Sequence, residues 1–103
     1  MGLLGFGRIG QAVARRAVAL GCAVVAHDPY ADAAVAMRLG VRLASLHETV
    51  AAAHFLSLHL PPMPETRDLV DRDLLARTRE GSYLINTARG ELMVEEDLLR
   101  ALE

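Results

Sequence analysis

The 103-residue chain has no tryptophan, no lysine, one cysteine, and only two tyrosines and two phenylalanines. The single thiol, Cys22, excludes a disulfide framework and a thiolate metal site. Its apolar neighbours in GCAVVA predict an inert, buried side chain. All eleven basic residues are arginines scattered along the chain, so neither a nucleic-acid stripe nor a polybasic membrane tether is present. The apolar runs are far too short to span a bilayer. The start of the chain has neither the basic region nor the cleavage site of a signal peptide. Phe6 stands where a myristoylation signal after Met-Gly requires Ser or Thr. These absences lead to the expectation of a soluble domain of a reducing compartment, the cytoplasm, with no nucleic-acid or membrane partner. Much of the 52% apolar content is alanine, which predicts a thin-walled, helix-rich core, and the length allows one such core but not two lobes.

What is present alternates. GLLGF (2–6) reads as a short buried strand, and RIGQAVARRAVAL (8–20) as a helix with Ile9, Val13, Ala17 and Leu20 at helical spacing, closed by Gly21. CAVVAHD (22–28) is a second strand, ADAAVAMRLG (31–40) a helix ending at Gly40, and VRLA (41–44) a short edge strand. SLHETVAAA (45–53) starts with Ser45 and Glu48 in capping-box spacing. HFLSLHL (54–60) is a third long strand, stopped by Pro61 and Pro62. Asp71 caps DRDLLARTREG, which ends at Gly81; SYLINTA (82–88) is the last strand and VEEDLLRALE (94–103) the last helix, with acids suited to its dipole. The order βαβαβαβαβα implies an α/β domain, a doubly wound parallel sheet of five strands in order 3-2-1-4-5 with helices on both faces.

Three segments carry chemistry. Gly5-Phe6-Gly7-Arg8-Ile9-Gly10 fits G-x-G-x-x-G between a strand and a helix. Gly5 permits the tight turn, Gly7 lets a pyrophosphate approach the backbone, and Gly10 lets the helix pack close to the strand. Seventeen residues lie between Gly10 and Asp28, which ends the second strand where a carboxylate accepts the hydroxyls of an adenine ribose. The loop HLPPMPET (59–66) follows the strand that neighbours the first, at the crevice where open α/β sheets bind ligands. There Thr66 either donates its hydroxyl to a ligand or caps the next helix. In INTARGE, Arg89 at the carboxyl edge of the fifth strand either clamps a substrate carboxylate or pairs on the surface with Glu91 or Glu95. The histidines 27, 47, 54 and 59 form no metal-ligand spacing backed by a third ligand, and they read as structural or solvent-facing, with His59 nearest the crevice.

The motifs GFGRIG, AHDPY, LHLPPMPETRDLV and LINTARGELMVEEDLLRAL together resemble, collinearly from Met1 to Glu103, the NAD-binding Rossmann domain of the D-isomer-specific 2-hydroxyacid dehydrogenases. That resemblance implies an NAD-dependent oxidoreductase. It sets Arg8 and Ile9 at the cofactor pyrophosphate, and Asp28 at the adenosine ribose. It also sets Leu60, Pro61 and Thr66 along the adenosine side, Thr87 and Ala88 at the nicotinamide, and Arg89 as the catalytically required substrate arginine. Two departures stand out: Pro62-Met63 replaces the Leu-Thr of many members, and VEED replaces VDED, leaving a poorer N-cap at Glu95. The resemblance also implies subunits that meet through this domain as a homodimer. It places the family's catalytic Glu and His beyond Leu102, so a truncated domain without its substrate lobe is expected to hold NAD and not to turn over a 2-hydroxy or 2-oxo acid. The competing readings are a regulatory nucleotide-sensing module, which has no use for Arg89, and a structural remnant that binds nothing.

Overall fold

β1 (Gly2–Leu4) lies at the centre of the sheet, and its Leu3 and Leu4 are fully buried because helices cover both faces there. The computed structural model describes residues 1–60, 68–86 and 94–102. After β1 come α1 (Arg8–Ala19), β2 (Val24–His27), α2 (Ala33–Leu39), β3 (Val41–Leu43), α3 (Leu46–Ala52) and β4 (Phe55–Leu58). The chain closes with α4 (Arg72–Ala76), β5 (Tyr83–Asn86) and α5 (Glu95–Leu102). All pairings are parallel, as the alternation of elements requires, and the order is β3-β2-β1-β4-β5.

Each face has its own core. Leu4, Leu56 and Leu58 pack with Val50 of α3 and Leu74 of α4 on one side. Leu3, Val24, Ala26 and Val41 pack with Ala14 and Ala17 of α1 and Ala36 of α2 on the other. The alanine-rich composition thus becomes a close helix-to-sheet approach. On this second face Phe55, Tyr83 and Ile85 form an exposed strip: Phe55 and Tyr83, paired in register, stack their rings at 5.2 Å and 11°, and Ile85 lies on the same side.

Local chemistry sets the helix ends. Asp32 caps α2 by accepting from Ala34 N and Val35 N, and Gly40 closes it at φ 77°. Ser45 accepts from Glu48 N at 3.1 Å, so the Ser45 half of the capping box forms while no bond returns from Glu48. α4 receives two carboxylates at its start: Asp71 accepts from Leu74 N at 3.0 Å, and Asp97 of α5 reaches across to accept from Arg72 N at 3.0 Å.

Several expectations need correction. The strands are shorter than their apolar runs, because the flanking residues 5–6, 22–23, 28, 54 and 59–60 serve turns. Cys22 is exposed, not buried, because it sits in the α1–β2 turn before the sheet begins, with its amide bonded to Ala17 O. α1 faces the sheet through Gly10, Ala14 and Ala17, so Ile9 (67% exposed) and Leu20 (83% exposed) point outward. α4 stops at Ala76, well before Gly81, where the Thr78 hydroxyl takes the Leu75 carbonyl at 2.6 Å. Glu95 is the first residue of α5, which leaves the cap position to Val94.

Candidate functional site

The turn after β1 is built from backbone contacts that only glycine allows. Gly5 has φ 106°, donates its N–H to His27 O at 2.8 Å, and lies flat against the peptide joining His59 and Leu60. An ideal Cβ there would come within 2.7 Å of the His59 carbonyl carbon and 2.9 Å of Leu60 N. At Gly10 a Cβ would meet the Gly5 carbonyl oxygen at 2.5 Å, so the helix presses directly on the turn. Phe6, between the first two glycines, is 2% exposed and anchors the turn in the core under α1. The Gln11 side chain braces it by donating from Nε2 to Phe6 O at 3.1 Å.

Gly7 differs from the other two: a Cβ there would have nothing within 4 Å. It is the N-cap of α1, whose start has no side-chain cap and no acid in its first turn. The amides of Arg8, Ile9 and Gly10 therefore have no partner inside the helix, and the helix dipole adds positive potential. Open space over uncapped amides suits an anion. The side chains of Arg8 and Ile9 are exposed beside it.

Asp28 follows β2 directly and is half-buried. Its Oδ2 accepts from Phe6 N at 2.8 Å, and its Oδ1 accepts from Tyr30 N at 2.9 Å in an Asx-type turn. One carboxylate thus ties the glycine turn to the β2–α2 turn and keeps lone pairs for a further donor.

On the other flank, β4 ends at Leu58 and His59 N donates to Leu4 O at 2.7 Å. Leu60 is 8% exposed and its side chain belongs to the core under α3 and α4, which leaves its backbone to border the turn. Burial pushes the His59 imidazole below its ordinary value. Gly5, Gly7, Arg8, Ile9, Gly10, Asp28 and Leu60 are thus brought to one crevice at the carboxyl ends of β1, β2 and β4. Pro61, Thr66, Thr87, Ala88 and Arg89 lie outside the described residues. Among the described residues no group of His, Cys, Asp or Glu is arranged to hold a metal, and no helix is long and apolar enough to cross a membrane.

Three participants escape a motif reading: the Phe6 amide, Gln11 and Ser57. Ser57 is 4% exposed, and its Oγ lies 2.8 Å from His59 Nε2. The available signal was a lone hydroxyl in the apolar run HFLSLHL, two residues before the histidine and hence on the same face of the strand.

Residues 1–103 match the family described as D-isomer specific 2-hydroxyacid dehydrogenase, NAD binding domain. The chain is 48% identical over 102 residues to the D-3-phosphoglycerate dehydrogenase of Mycobacterium tuberculosis, covering 99% of this chain and 19% of that protein. It superposes on the Salmonella D-lactate dehydrogenase with a TM-score of 0.93 at 34% identity, covering 98% of this chain and 30% of the other. The NAD-complexed D-isomer-specific 2-hydroxyacid dehydrogenase of Lactobacillus delbrueckii ssp. bulgaricus gives a TM-score of 0.92 at 34% identity, over the same shares of the two chains. The chain spans about a fifth of the length of the curated relatives it matches. With a glycine turn open at Gly7, a carboxylate at the end of β2 and a match from end to end, the chain belongs to the D-isomer-specific 2-hydroxyacid dehydrogenase family as its NAD-binding domain.

Proposed function

We propose that this domain holds NAD for the oxidation of a small 2-hydroxy acid, or the reverse reduction of a 2-oxo acid, and that the 103 residues on their own bind the cofactor without turnover. The observation that carries the reading is the unfilled space at Gly7 over the uncapped start of α1, beside Asp28. The residues fit the cofactor: a pyrophosphate takes the space a Cβ would fill, and the adenosine ribose hydroxyls suit the remaining lone pairs of Asp28. When bound, NAD supplies the hydride acceptor.

The chain's own residues would divide the work as follows. The amides of Arg8 and Ile9 hold the pyrophosphate, with Gly5, Gly7 and Gly10 shaping the turn. Asp28 orients the ribose and repels a 2′-phosphate, and Pro29-Tyr30 offers no arginine to receive one, so NAD is preferred to NADP. Leu60, Pro61 and Thr66 border the adenosine side, Thr87 and Ala88 the nicotinamide side, and Arg89 clamps the substrate carboxylate. Proton transfer at the carbonyl oxygen needs the Glu and His that the family resemblance puts beyond Leu102. Without general acid catalysis the rate falls by about 10²–10⁴, before the loss of orientation and water exclusion is counted. Cys22, a lone exposed thiol, suits a reducing compartment such as the cytoplasm.

Calorimetric titration with NAD, alongside assays with D-lactate, D-glycerate and 3-phosphoglycerate, tests this reading. Binding without turnover is expected. Absence of binding overturns the cofactor role, and robust turnover would mean that one of the four histidines delivers the proton. A regulatory nucleotide sensor is disfavoured by Arg89, which such a module does not use. Self-association as a dimer is supported by the uncovered apolar strip of Phe55, Tyr83 and Ile85. Sedimentation as a clean monomer at tens of micromolar, roughly where modest interfaces assemble, would oppose it.

A further inference from the structure

We propose that Ser57 and His59 are a positioning pair for the glycine turn: their 2.8 Å hydrogen bond holds the 59–60 peptide against Gly5 and so sets where the first-turn amides of α1 point. The inference deepens the NAD-binding reading of the crevice and rests on it for its ligand.

The contacts form a stack. Gly10 presses on the Gly5 carbonyl, and Gly5 presses on the His59–Leu60 peptide, each so closely that no Cβ fits between them. A rotation of the 59–60 peptide would therefore move Gly5, and with it the start of α1. Two anchors hold that peptide from outside. His59 N donates to Leu4 O at 2.7 Å, and the Leu60 side chain is buried on the opposite face of the sheet. Neither alone fixes the direction in which the peptide leaves the His59 Cα. The third anchor does: with N and Cβ of that Cα both held, the first by Leu4 O and the second through the ring by Ser57, the Cα–C bond has one direction.

Ser57 has little other reason to be polar. It sits in register between Leu3 of β1 and Ile85 of β5, and it is 4% exposed. A buried hydroxyl is costly without a partner, so Ser57 and His59 satisfy each other. Burial pushes the imidazole below its ordinary value, which keeps the ring neutral near pH 7. A neutral ring serves the bond in either tautomer, with Nε2 accepting from the hydroxyl or donating to Oγ. The pair touches no reacting atom; it acts through the turn.

The test uses the whole chain and two readouts: hydrogen exchange at the amides of Gly5, Phe6 and His59, and NAD affinity by calorimetry. Ser57→Ala and His59→Ala are each expected to lower protection at those amides and to weaken NAD binding by about tenfold, the size of one lost buried hydrogen bond. Protection at Val25 and Ala26, in β2, is expected to hold. His59→Gln, whose amide reaches as far as Nε2, is expected to restore both readouts to within about twofold of the unmodified chain. The double Ala variant is expected to be no worse than the worse single one. Unchanged protection in Ser57→Ala, a Gln variant no better than Ala, or additive single effects would each overturn the proposal. If Ser57→Ala does not fold, the Gln and Ala variants of His59 decide alone. If the unmodified chain fails to bind NAD, the ligand reading is lost, and the exchange measurements still decide the positioning role.

Discussion

The carboxylate of Asp28 accepts the backbone N–H of Phe6 at 2.8 Å, so the residue that ends β2 is also a strut of the turn that follows β1. Its two tasks separate by substitution. Asp28→Asn keeps an oxygen for Phe6 N, turns its NH2 toward the exposed Tyr30 N so that this bond is lost, and removes the charge. It is expected to cost about 0.5–1 kcal/mol while narrowing the preference for NAD over NADP. Asp28→Ala loses both, and unfolding should become easier by about 1–2 kcal/mol, with weaker NAD binding besides. Thermal melts and parallel NAD and NADP titrations check the pair. Equal NADP binding by the unmodified chain would remove the selectivity role.

Gly5 and Gly7 are expected to respond in opposite ways to the same methyl group. Gly5→Ala meets a left-handed φ of 106° and a backbone carbon at 2.7 Å, and it should cost about 2 kcal/mol or more in stability. Gly7→Ala meets nothing within 4 Å at an extended backbone, so folding should be nearly unaffected. The added methyl instead occupies the approach to the α1 amides, and NAD affinity should drop by about tenfold or more. A Gly7→Ala chain that binds NAD normally would move the pyrophosphate site elsewhere.

His59 gives stability a pH dependence with a definite sign. Unfolded, the ring titrates near 6.5; folded, burial lowers that value. Between the two values the unfolded chain binds more protons, so acid favours unfolding. The contribution is complete above 6.5 and is lost as pH falls through the folded value. Denaturant midpoints for the unmodified chain and His59→Gln, compared from pH 7 down to about 5, should separate as the pH falls, with the unmodified chain dropping further, because only it loses this term. Parallel curves would contradict it.

The start of α4 offers a third comparison. Asp71→Ala removes a half-buried cap, and Asp97→Ala removes an exposed bond to Arg72 N that joins α5 to α4. The first should cost about 1 kcal/mol and the second less, read as melting shifts of a few degrees. The reverse order would show that docking of α5 outweighs the cap.

The parallel, right-handed winding was legible because ten alternating segments leave it as the ordinary solution. The glycine fingerprint and Asp28 were legible as a pattern, though the Phe6–Asp28 bond joining them was not, since backbone donors leave no mark in a sequence. Periodicity found α1 and placed Val13 and Ala17 toward the core, but it also counted two residues that point outward. Ile9 and Leu20 look like core residues, yet close packing on the sheet selects the small line Gly10, Ala14 and Ala17. Cys22 was misread because its apolar neighbours in sequence belong to a strand that begins only at Val24. The overlong α4 came from treating Gly81 as its stop, when Thr78 already takes the Leu75 carbonyl. Ser57 passed unnoticed because one hydroxyl among leucines has no meaning until its partner is known.

The central place of β1 bears on how the chain is made. β1 leaves the ribosome before both of its partners, and one of them, β4, begins at Phe55. Until β4 has emerged, Leu3 and Leu4 have a free hydrogen-bonding edge beside them, and the His59–Leu60 peptide that supports Gly5 has not yet been synthesised. The domain therefore has high contact order where its cofactor turn is built, and the nascent half-sheet β3-β2-β1 is the species most exposed to wrong pairing. Shaping of the turn comes after synthesis passes Leu60, so slowing translation before that point would lengthen the life of the vulnerable edge and slowing it afterwards would not.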